Sequence, residues 1–189
     1  MDSGRKVVAM EFISADGVIE SPHEWHFPYF GEDMGELLNE LTGDMSALLL
    51  GRVTYEDFAA SWPQRSDDEP GAKEMNETPK YAVTTTLTSA DWQNSTLITS
   101  DVASQVRQLK EQPGGPIVIW GSATLVRWLL SEGLLDELHL FVHPIVVGDG
   151  KRLFDGARRT LLEVVASHAL SLGTMHIAYA PAADATAKG

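Results

Sequence analysis

The stretch Pro116-Ile117-Val118-Ile119-Trp120-Gly121-Ser122-Ala123-Thr124-Leu125-Val126 decides the fold of this chain. Its apolar run, rich in β-branched residues, predicts a strand that is buried on both faces of a sheet. Gly121 ends that strand, and Ser122 can cap a helix with apolar residues at Leu125, Val126, Leu129 and Leu130. Main-chain N–H groups at such a turn form an anion site at the carboxyl edge of an open sheet. An ordinary strand-to-helix turn would explain the same residues.

A second junction of the same kind lies earlier in the chain. Residues 45–50 form a continuous apolar strand, Gly51 stops it, and Arg52 begins another helix. If the two strands are neighbours, both helix starts face one edge of the sheet. Together they could then hold the two ends of one extended, phosphate-containing ligand.

Strands and helices alternate along most of the chain and give way to strands near its end. Helices are predicted over residues 32–41 and 101–112, and residues 61–78 are predicted to be an exposed connection. Further strands are predicted over residues 6–13, 80–86, 97–99, 136–147, 161–165 and 175–179. This order predicts one α/β domain over residues 1–180, with a mostly parallel sheet, an antiparallel C-terminal edge and a disordered tail over residues 181–189.

Composition excludes several classes of function. The 189 residues carry a net charge of −13, which disfavours nonspecific binding to nucleic acid or to an anionic membrane. The chain has no cysteine, so disulfides and thiolate catalysis are excluded. Glu11 and Asp16 interrupt the first apolar run, so no signal peptide is predicted, and no window reaches the length of a membrane span. We expect a cytoplasmic protein.

Common catalytic signatures are missing. The chain has no Gly-x-Ser-x-Gly elbow, no phosphate-binding Walker loop and no Gly-x-Gly-x-x-Gly fingerprint. His139 and His143 share one strand face, with His176 on a possible neighbouring strand, but this spacing predicts no metal site. A site of anion-binding turns and aromatic residues suits a cofactor that brings its own redox chemistry.

The loop over residues 21–31 carries Trp25, Phe27, Tyr29 and Phe30. Loops of this length that carry several large apolar side chains are usually functional. We interpret it as a wall facing a ligand, and the alternative is a hydrophobic flap that only covers the core.

Several motifs, in this order, resemble one family. They are Ser14-Ala15-Asp16-Gly17, Gly51-Arg52-Val53-Thr54-Tyr55-Glu56, Lys80-Tyr81, Gly121-Ser122, Leu134-Leu135-Asp136-Glu137-Leu138 and Pro144-x-x-x-Gly148-x-Gly150. The chain resembles the dihydrofolate-reductase-like superfamily, and specifically small bacterial proteins similar to the reductase domain of the riboflavin-biosynthesis deaminase-reductase. The resemblance implies a three-layer α/β/α fold that binds NADPH across the carboxyl edge of its sheet. It also implies an activity like that of 5-amino-6-(5-phosphoribosylamino)uracil reductase.

The resemblance also implies which residues bind the cofactor. The phosphates would lie between two groups of residues, Gly51, Arg52 and Thr54 on one side and Gly121, Ser122, Ala123, Thr124 and Leu125 on the other. The loop of Asp16, Gly17, Val18 and Ile19 would lie over the nicotinamide, and Thr84, Thr85 and Thr86 would lie on the adenosine side.

Two departures from the family pattern limit the expected chemistry. Thr85 stands where relatives commonly have an arginine that binds the 2′-phosphate, so NADH is possible beside NADPH. After Trp25-His26-Phe27-Pro28, the first acids are Glu32 and Asp33, later than the acid that dihydrofolate reductases use. True folate reduction is therefore not expected.

These observations lead to one main hypothesis, an NAD(P)H-dependent reductase of a small heteroaromatic or imine-like substrate. The substrate would lie against Trp25, Phe27, Phe30, Tyr55 and Trp62. Asp16 is the nearest acid, and we expect it to support the loop before acting as a proton donor. The alternatives are a reductase of a pteridine or riboflavin precursor, and a non-catalytic nucleotide-binding module on the same fold. The family also suggests a homodimer, with His139, Phe141 and His143 facing the partner.

Overall fold

The computed structural model describes residues 4–183, and within them eight strands form one sheet. The strands are β1 (Val7–Ser14), β2 (Ala47–Gly51), β3 (Lys80–Val83), β4 (Ser95–Ile98), β5 (Ile117–Trp120), β6 (Glu137–His143), β7 (Leu162–Ala169) and β8 (Met175–Pro181). Their order across the sheet is β4-β3-β2-β5-β1-β6-β8-β7. Strands β1 to β6 pair in parallel, and β8 is antiparallel to both β6 and β7. The predicted fold class is confirmed.

Helices cover both faces of this sheet. They are α1 (Glu32–Thr42), α2 (Arg52–Ser61), α3 (Ala72–Glu77), α4 (Val102–Glu111) and α5 (Ala123–Ser131). Helices α4 and α5 pack their apolar residues on the face that carries Ala9 of β1. Helices α2 and α3 pack on the opposite face, which carries Met10. Successive residues of the central strands are apolar on both faces because both faces are covered.

The prediction that residues 61–78 form an exposed connection is wrong in part. This segment contains α3, and Ala72, Met75 and Asn76 of that helix are buried. The polar composition of the segment gave no sign of this burial. Asn76 can be buried because its amide donates to the Trp62 carbonyl at 3.0 Å and accepts from the Trp92 indole at 2.8 Å. A polar residue can be buried in this way when its hydrogen bonds are satisfied.

Lys80 is fully buried, and nothing in the sequence predicts this burial. Its Nζ donates to the carbonyls of Asn76, Thr78 and Gln93 at 2.8, 2.6 and 3.2 Å. The same atom lies 4.3 Å from the centre of the Trp92 ring. Burial lowers the pKa of Lys80 to about 8. The side chain therefore ties β3 to the segments that flank it.

The C-terminal strands form the predicted antiparallel pair, but they are longer than predicted. Strand β7 lies at the edge of the sheet, its register with β8 shifts between Val164 and Ala166, and Val164 and Val165 are exposed. Strand β8 runs to Pro181, and Ala182 N donates to the Leu161 carbonyl at 3.0 Å. The predicted disordered tail is therefore wrong at its start, and residues 184–189 lie outside the described residues.

The surface that was predicted to face a second copy of the chain is not a surface. His139, Phe141 and His143 of β6 are all buried within the chain itself. His139 and His176 do share a face, as the sequence indicates, because their Nδ1 and Nε2 atoms lie 3.0 Å apart. A homodimer stays a prediction, and these three residues are withdrawn from its interface.

Candidate functional site

The two strand-to-helix junctions lie side by side. Strands β2 and β5 are parallel neighbours, and α2 and α5 begin at the carboxyl ends of these strands. Gly51 N donates to Ser122 Oγ at 2.9 Å, which joins one junction to the other. Ser122 N in turn donates to Thr54 Oγ1 at 3.1 Å. We call residues 51–54 and 121–125 together the cradle.

Gly121 shapes the cradle by being small and by adopting a left-handed conformation. Its φ is 55°, which disfavours any residue with a side chain. A Cβ atom at this position would lie 3.2 Å from Thr54 Oγ1, so a side chain here would press into the opposite junction. Ser122 is also left-handed, with a φ of 59°. Strained main chain of this kind clusters at ligand sites.

Both helix starts of the cradle lack a side-chain cap. Gly51 has no side chain, and Ser122 Oγ makes no hydrogen bond to the first turn of α5. The N–H groups of Gly51 and Ser122 are already bonded across the cradle, so these two groups are not free for a ligand. The donors directed at the sheet edge are instead those of the first turns, at Arg52, Val53, Ala123 and Thr124. Two adjacent helix starts of this kind attract an anion.

Strand β3 ends beside the cradle at the three predicted threonines. Thr84 is buried, and its Oγ1 accepts from the N–H groups of Thr86 and Leu87 at 3.1 and 3.0 Å. Thr85 and Thr86 are exposed at the edge of the sheet. Thr84 therefore shapes the turn, while Thr85 and Thr86 can face a ligand.

Asp16 braces the loop that follows β1. Its carboxylate accepts from Ser14 Oγ at 2.6 Å and from the N–H groups of Val147 and Gly148 at 3.0 and 2.8 Å. These bonds hold the pKa of Asp16 well below its usual range. The carboxylate stays ionised, so it supports the loop and is a poor proton donor.

The rest of that loop is tied to the same segment. Ile19 N donates to the Lys151 carbonyl at 3.0 Å, and Val18 is buried and forms a bridge with Arg152. Gly17, with a φ of 87°, makes the turn. The loop over residues 16–19 is therefore held in one position near the sheet edge.

The aromatic loop packs over the face of the sheet that carries Met10. His26 is buried and stacks on Phe12 of β1, with ring centres 4.6 Å apart. Trp25 is buried and donates from its indole to the Glu20 carbonyl at 3.1 Å. Phe27 and Phe30 remain 64% and 42% exposed. We call Trp25, Phe27 and Phe30 the aromatic wall.

A family model decides what kind of protein carries this arrangement. The model of the RibD C-terminal domain matches residues 5–175. The chain belongs to the RibD C-terminal domain family. The protein YyaP of Bacillus subtilis (strain 168), which is uncharacterised, is 28% identical over 180 residues, 93% of this chain and 94% of YyaP.

Solved structures show the same fold at low identity. A protein of Shewanella sp. PV-4 ascribed to riboflavin biosynthesis is 18% identical with a TM-score of 0.73, covering 94% of this chain and 99% of that one. The deaminase/5-amino-6-(5-phosphoribosylamino)uracil reductase of Thermotoga maritima is 17% identical with a TM-score of 0.66, covering 94% and 57%. Dihydrofolate reductase of Enterococcus faecalis, complexed with NADP(H), is 15% identical with a TM-score of 0.62, covering 93% and 96%.

Two residues predicted to contact the substrate make contacts within this RibD C-terminal domain. Tyr55 is 3% exposed, and its hydroxyl accepts from the Trp92 N–H at 3.2 Å. Trp62 follows the last turn of α2, where it packs against Phe58 and under the Arg65 guanidinium. The prediction for Tyr55 is therefore corrected, because its buried side chain bonds Trp92 inside the domain, whereas a substrate contact of Trp62 stays a prediction.

The second acid after Phe30 bonds the turn between β7 and β8. Asp33, at the start of α1, accepts from Ser171 N at 2.6 Å and from Ser171 Oγ at 2.9 Å. These bonds lower the pKa of Asp33 and tie α1 to the turn between β7 and β8. Asp33 therefore braces the domain rather than serving the cleft.

Several residues near the site were not predicted to belong to it. The ring centres of Phe12 and Trp120 lie 5.7 Å apart near the ends of β1 and β5, on the face that the aromatic loop covers. His143 lies under the same loop, and its Nδ1 bonds the Phe141 carbonyl at 2.7 Å. Glu11, a charged residue within an apolar strand, was the one available signal, and it lies beside the cradle.

The cradle fits a dinucleotide better than it fits a metal ion. Its first-turn N–H groups are donors, and a Cβ atom at Gly121 would intrude on it. Among residues 4–183, no group of three or more histidines, aspartates or glutamates is placed to hold a metal. No helix in that part of the chain is long and apolar enough to cross a membrane.

Proposed function

We propose that this chain is an NAD(P)H-dependent reductase that acts on a small heteroaromatic or imine-like substrate. The observation that carries the proposal is the contact between the two junctions, at 2.9 Å from Gly51 N to Ser122 Oγ. It brings two uncapped helix starts to the same edge of the sheet. A pyrophosphate between them would receive main-chain hydrogen bonds from both. The chain, with a net charge of −13, offers this local site for an anion that its overall field would repel.

Family membership and the solved relatives support a reductase. The Thermotoga protein is named as a uracil-derivative reductase, and the Enterococcus enzyme of the same fold is complexed with NADP(H). These likenesses favour a nicotinamide cofactor and a substrate similar to a riboflavin precursor. The position of the cradle supports the same conclusion from the residues of this chain alone.

The residues of the chain would act mainly by orientation. A bound nicotinamide would supply the hydride. The first turns of α2 and α5 would fix its pyrophosphate, and the loop braced by Asp16 would cover its ring. Phe27 and Phe30 would hold a flat substrate against that ring. Orientation of two reactants can lower a barrier by about 7–11 kcal/mol at best.

Thr85 bears on the choice between NADPH and NADH. It is exposed at the end of β3 and cannot form the bidentate ion pair that an arginine forms with a 2′-phosphate. Arg52, the nearby cation in the cradle, already bonds Glu56 at 2.6 Å. We therefore propose that NADH binds as well as NADPH does, within about a factor of ten.

A non-catalytic nucleotide-binding module is the second candidate function. The observation that favours it is the engagement of Asp33 by Ser171, together with the ionised state of Asp16. Both carboxylates brace loops and offer no proton to a substrate. In this alternative the cradle would bind the nucleotide, and the aromatic wall would bind no substrate that is reduced.

Titration of the protein with NADPH and NADH tests the shared part of both candidates. Measurable affinity for either dinucleotide supports the cradle, and no affinity for both contradicts it. A panel of pteridines, pyrimidine derivatives and cyclic imines, followed at the nicotinamide absorbance, then separates them. Turnover of any member identifies a reductase, whereas binding without turnover across the panel favours the module.

A further inference from the structure

Glu11 lies at the point where the two central strands separate. Strand β1 pairs with β6 as far as Ser14, but its pairing with β5 ends at Met10 and Trp120. Glu11 is the next residue of β1, beside Gly121 of the cradle, and it is only 2% exposed. It belongs to the face of the sheet that carries Ala9 and Ile13, opposite the aromatic wall.

The two carboxyl oxygens of Glu11 have different environments. One accepts a hydrogen bond from the Gly121 main chain, whereas Oε1 has no hydrogen-bond partner within residues 4–183. Burial raises the pKa of Glu11 well above its usual range, and the bond from Gly121 opposes this only in part. A neutral carboxylic acid carries its proton on the oxygen that does not accept, which here is Oε1.

No cation in the surrounding elements compensates an ionised Glu11. Arg127 of α5 donates to the Leu153 carbonyl at 2.8 Å, and Arg152 lies against Asp16 at 3.5 Å. Arg52 of α2 bonds Glu56. On β6, the face toward Glu11 carries Leu138 and Leu140, and the β6 histidines lie on the other face. Ionisation would therefore place an uncompensated charge in the interior.

We propose that Glu11 is a positioning residue of the cradle, which fixes the Gly121 turn as a neutral acid and weakens dinucleotide binding when it is ionised. The inference rests on the proposed function, because it needs a dinucleotide phosphate at the cradle. An ionised Glu11 would place a negative charge directly under the bound pyrophosphate. Binding and protonation therefore favour each other, and a dinucleotide takes up a proton wherever free Glu11 is partly ionised.

The direct test compares the wild type with Glu11→Gln, which keeps the shape and removes the charge. Affinity for NADPH is measured between about pH 5.5 and pH 9.5 by titration calorimetry. As the pH rises, we expect the wild-type Kd for NADPH to increase by roughly tenfold relative to the Kd of Glu11→Gln. This is the effect of one partly screened like charge. Glu163→Gln, an exposed strand position on β7, is the matched control and should follow the wild type.

A second measurement needs no variant and no catalysis. NADH has no 2′-phosphate that titrates, so its binding heat in buffers of different ionisation enthalpy reports protons taken up by the protein. We expect a fraction of a proton to be taken up per site at the pH values where the wild-type affinity falls. This arm applies even if Glu11→Gln does not fold.

Thermal unfolding without ligand tests the protonation of Glu11 by itself. A raised pKa in the folded state means that the unfolded chain loses its proton first as the pH rises. The wild type should therefore lose stability relative to Glu11→Gln as the pH rises above 4.5, the usual value.

The outcomes are distinct. No dinucleotide binding by any variant overturns the proposed function and this inference with it. Binding with the same pH profile in wild type and Glu11→Gln, or no proton uptake at any pH, overturns the inference alone and leaves the reductase proposal in place.

Discussion

On the cradle side of the proposed site, the groups proposed to meet a ligand belong to the main chain, whereas on the loop side they are aromatic side chains. The cradle is held at 2.9 and 3.1 Å by bonds that involve Ser122. Phe27 and Phe30 stand on short turns before α1 and are largely exposed. If the proposed function is correct, the difference teaches that one side would fix a common chemical group, a phosphate, while the other side could vary with the substrate.

The largest effect on cofactor affinity is expected from Gly121→Val. A valine would be strained at a φ of 55°, and its Cβ would meet Thr54 Oγ1 at 3.2 Å. We expect NADPH affinity to fall by about 100-fold or more, since strain and a displaced junction add. Gly133→Val is the matched control, with a φ of 65° and nothing within 4 Å of a Cβ atom. Equal affinity in both variants would contradict a cradle at Gly121.

Ser122→Ala should have a smaller effect on the same measurement. It removes the acceptor of the Gly51 N–H and leaves the main chain of the cradle in place. We expect NADPH affinity to fall by about tenfold, as for one lost polar contact. Ser131→Ala, at the other end of α5, is the control, since its Oγ only donates to the Trp128 carbonyl. A loss as large as that of Gly121→Val would mean that Ser122 contacts the ligand directly.

Phe30→Ala should separate the two sides. We expect NADPH affinity to change by less than about twofold, while kcat/KM for a reduced substrate falls by about tenfold, because a contact surface is lost.

Tyr55→Phe should leave kcat/KM unchanged and cost about 1–3 kcal/mol of stability, since the Trp92 N–H loses its acceptor. If Tyr55→Phe raises KM instead, Tyr55 belongs to the substrate side after all.

Asp16→Asn tests the bonds that hold the loop after β1, and its expected effect is on stability. The carboxylate bonds the N–H groups of Val147 and Gly148, so the variant should unfold at a lower temperature at neutral pH. Because the pKa of Asp16 is lowered in the folded state, the wild-type advantage is present above the usual value of 3.8. It is lost as the pH falls below that value. A difference that persists unchanged in strong acid would contradict this origin.

The parts of the molecule that follow from local pattern could be predicted from sequence. Buried strands followed by glycine and a helix start are short-range signals, and they located both junctions of the cradle. The two junctions are close because β2 and β5 are neighbours in the sheet. Local sequence patterns do not predict the order of strands in a sheet. The prediction of a shared anion site held only if β2 and β5 are neighbours, and in the structure these two strands pair.

The parts that depend on which way a side chain points could not be predicted. Tyr55 lies in the same helix as Arg52, yet it turns into the core toward Trp92. Residues 61–78 were predicted to be exposed because the segment is polar, although Asn76 is buried with its amide nitrogen and oxygen both hydrogen-bonded. Glu11 was visible only as a charge in an apolar run, and its place beside Gly121 required the strand register.

The irregular edge strand β7 has a consequence for solubility. A long outer strand with exposed Val164 and Val165 is a template on which another chain could add and polymerise. The register shift between Val164 and Ala166 breaks the even row of hydrogen-bonding groups and twists that margin. The bulge thus works against the addition of a further strand at this edge of the sheet.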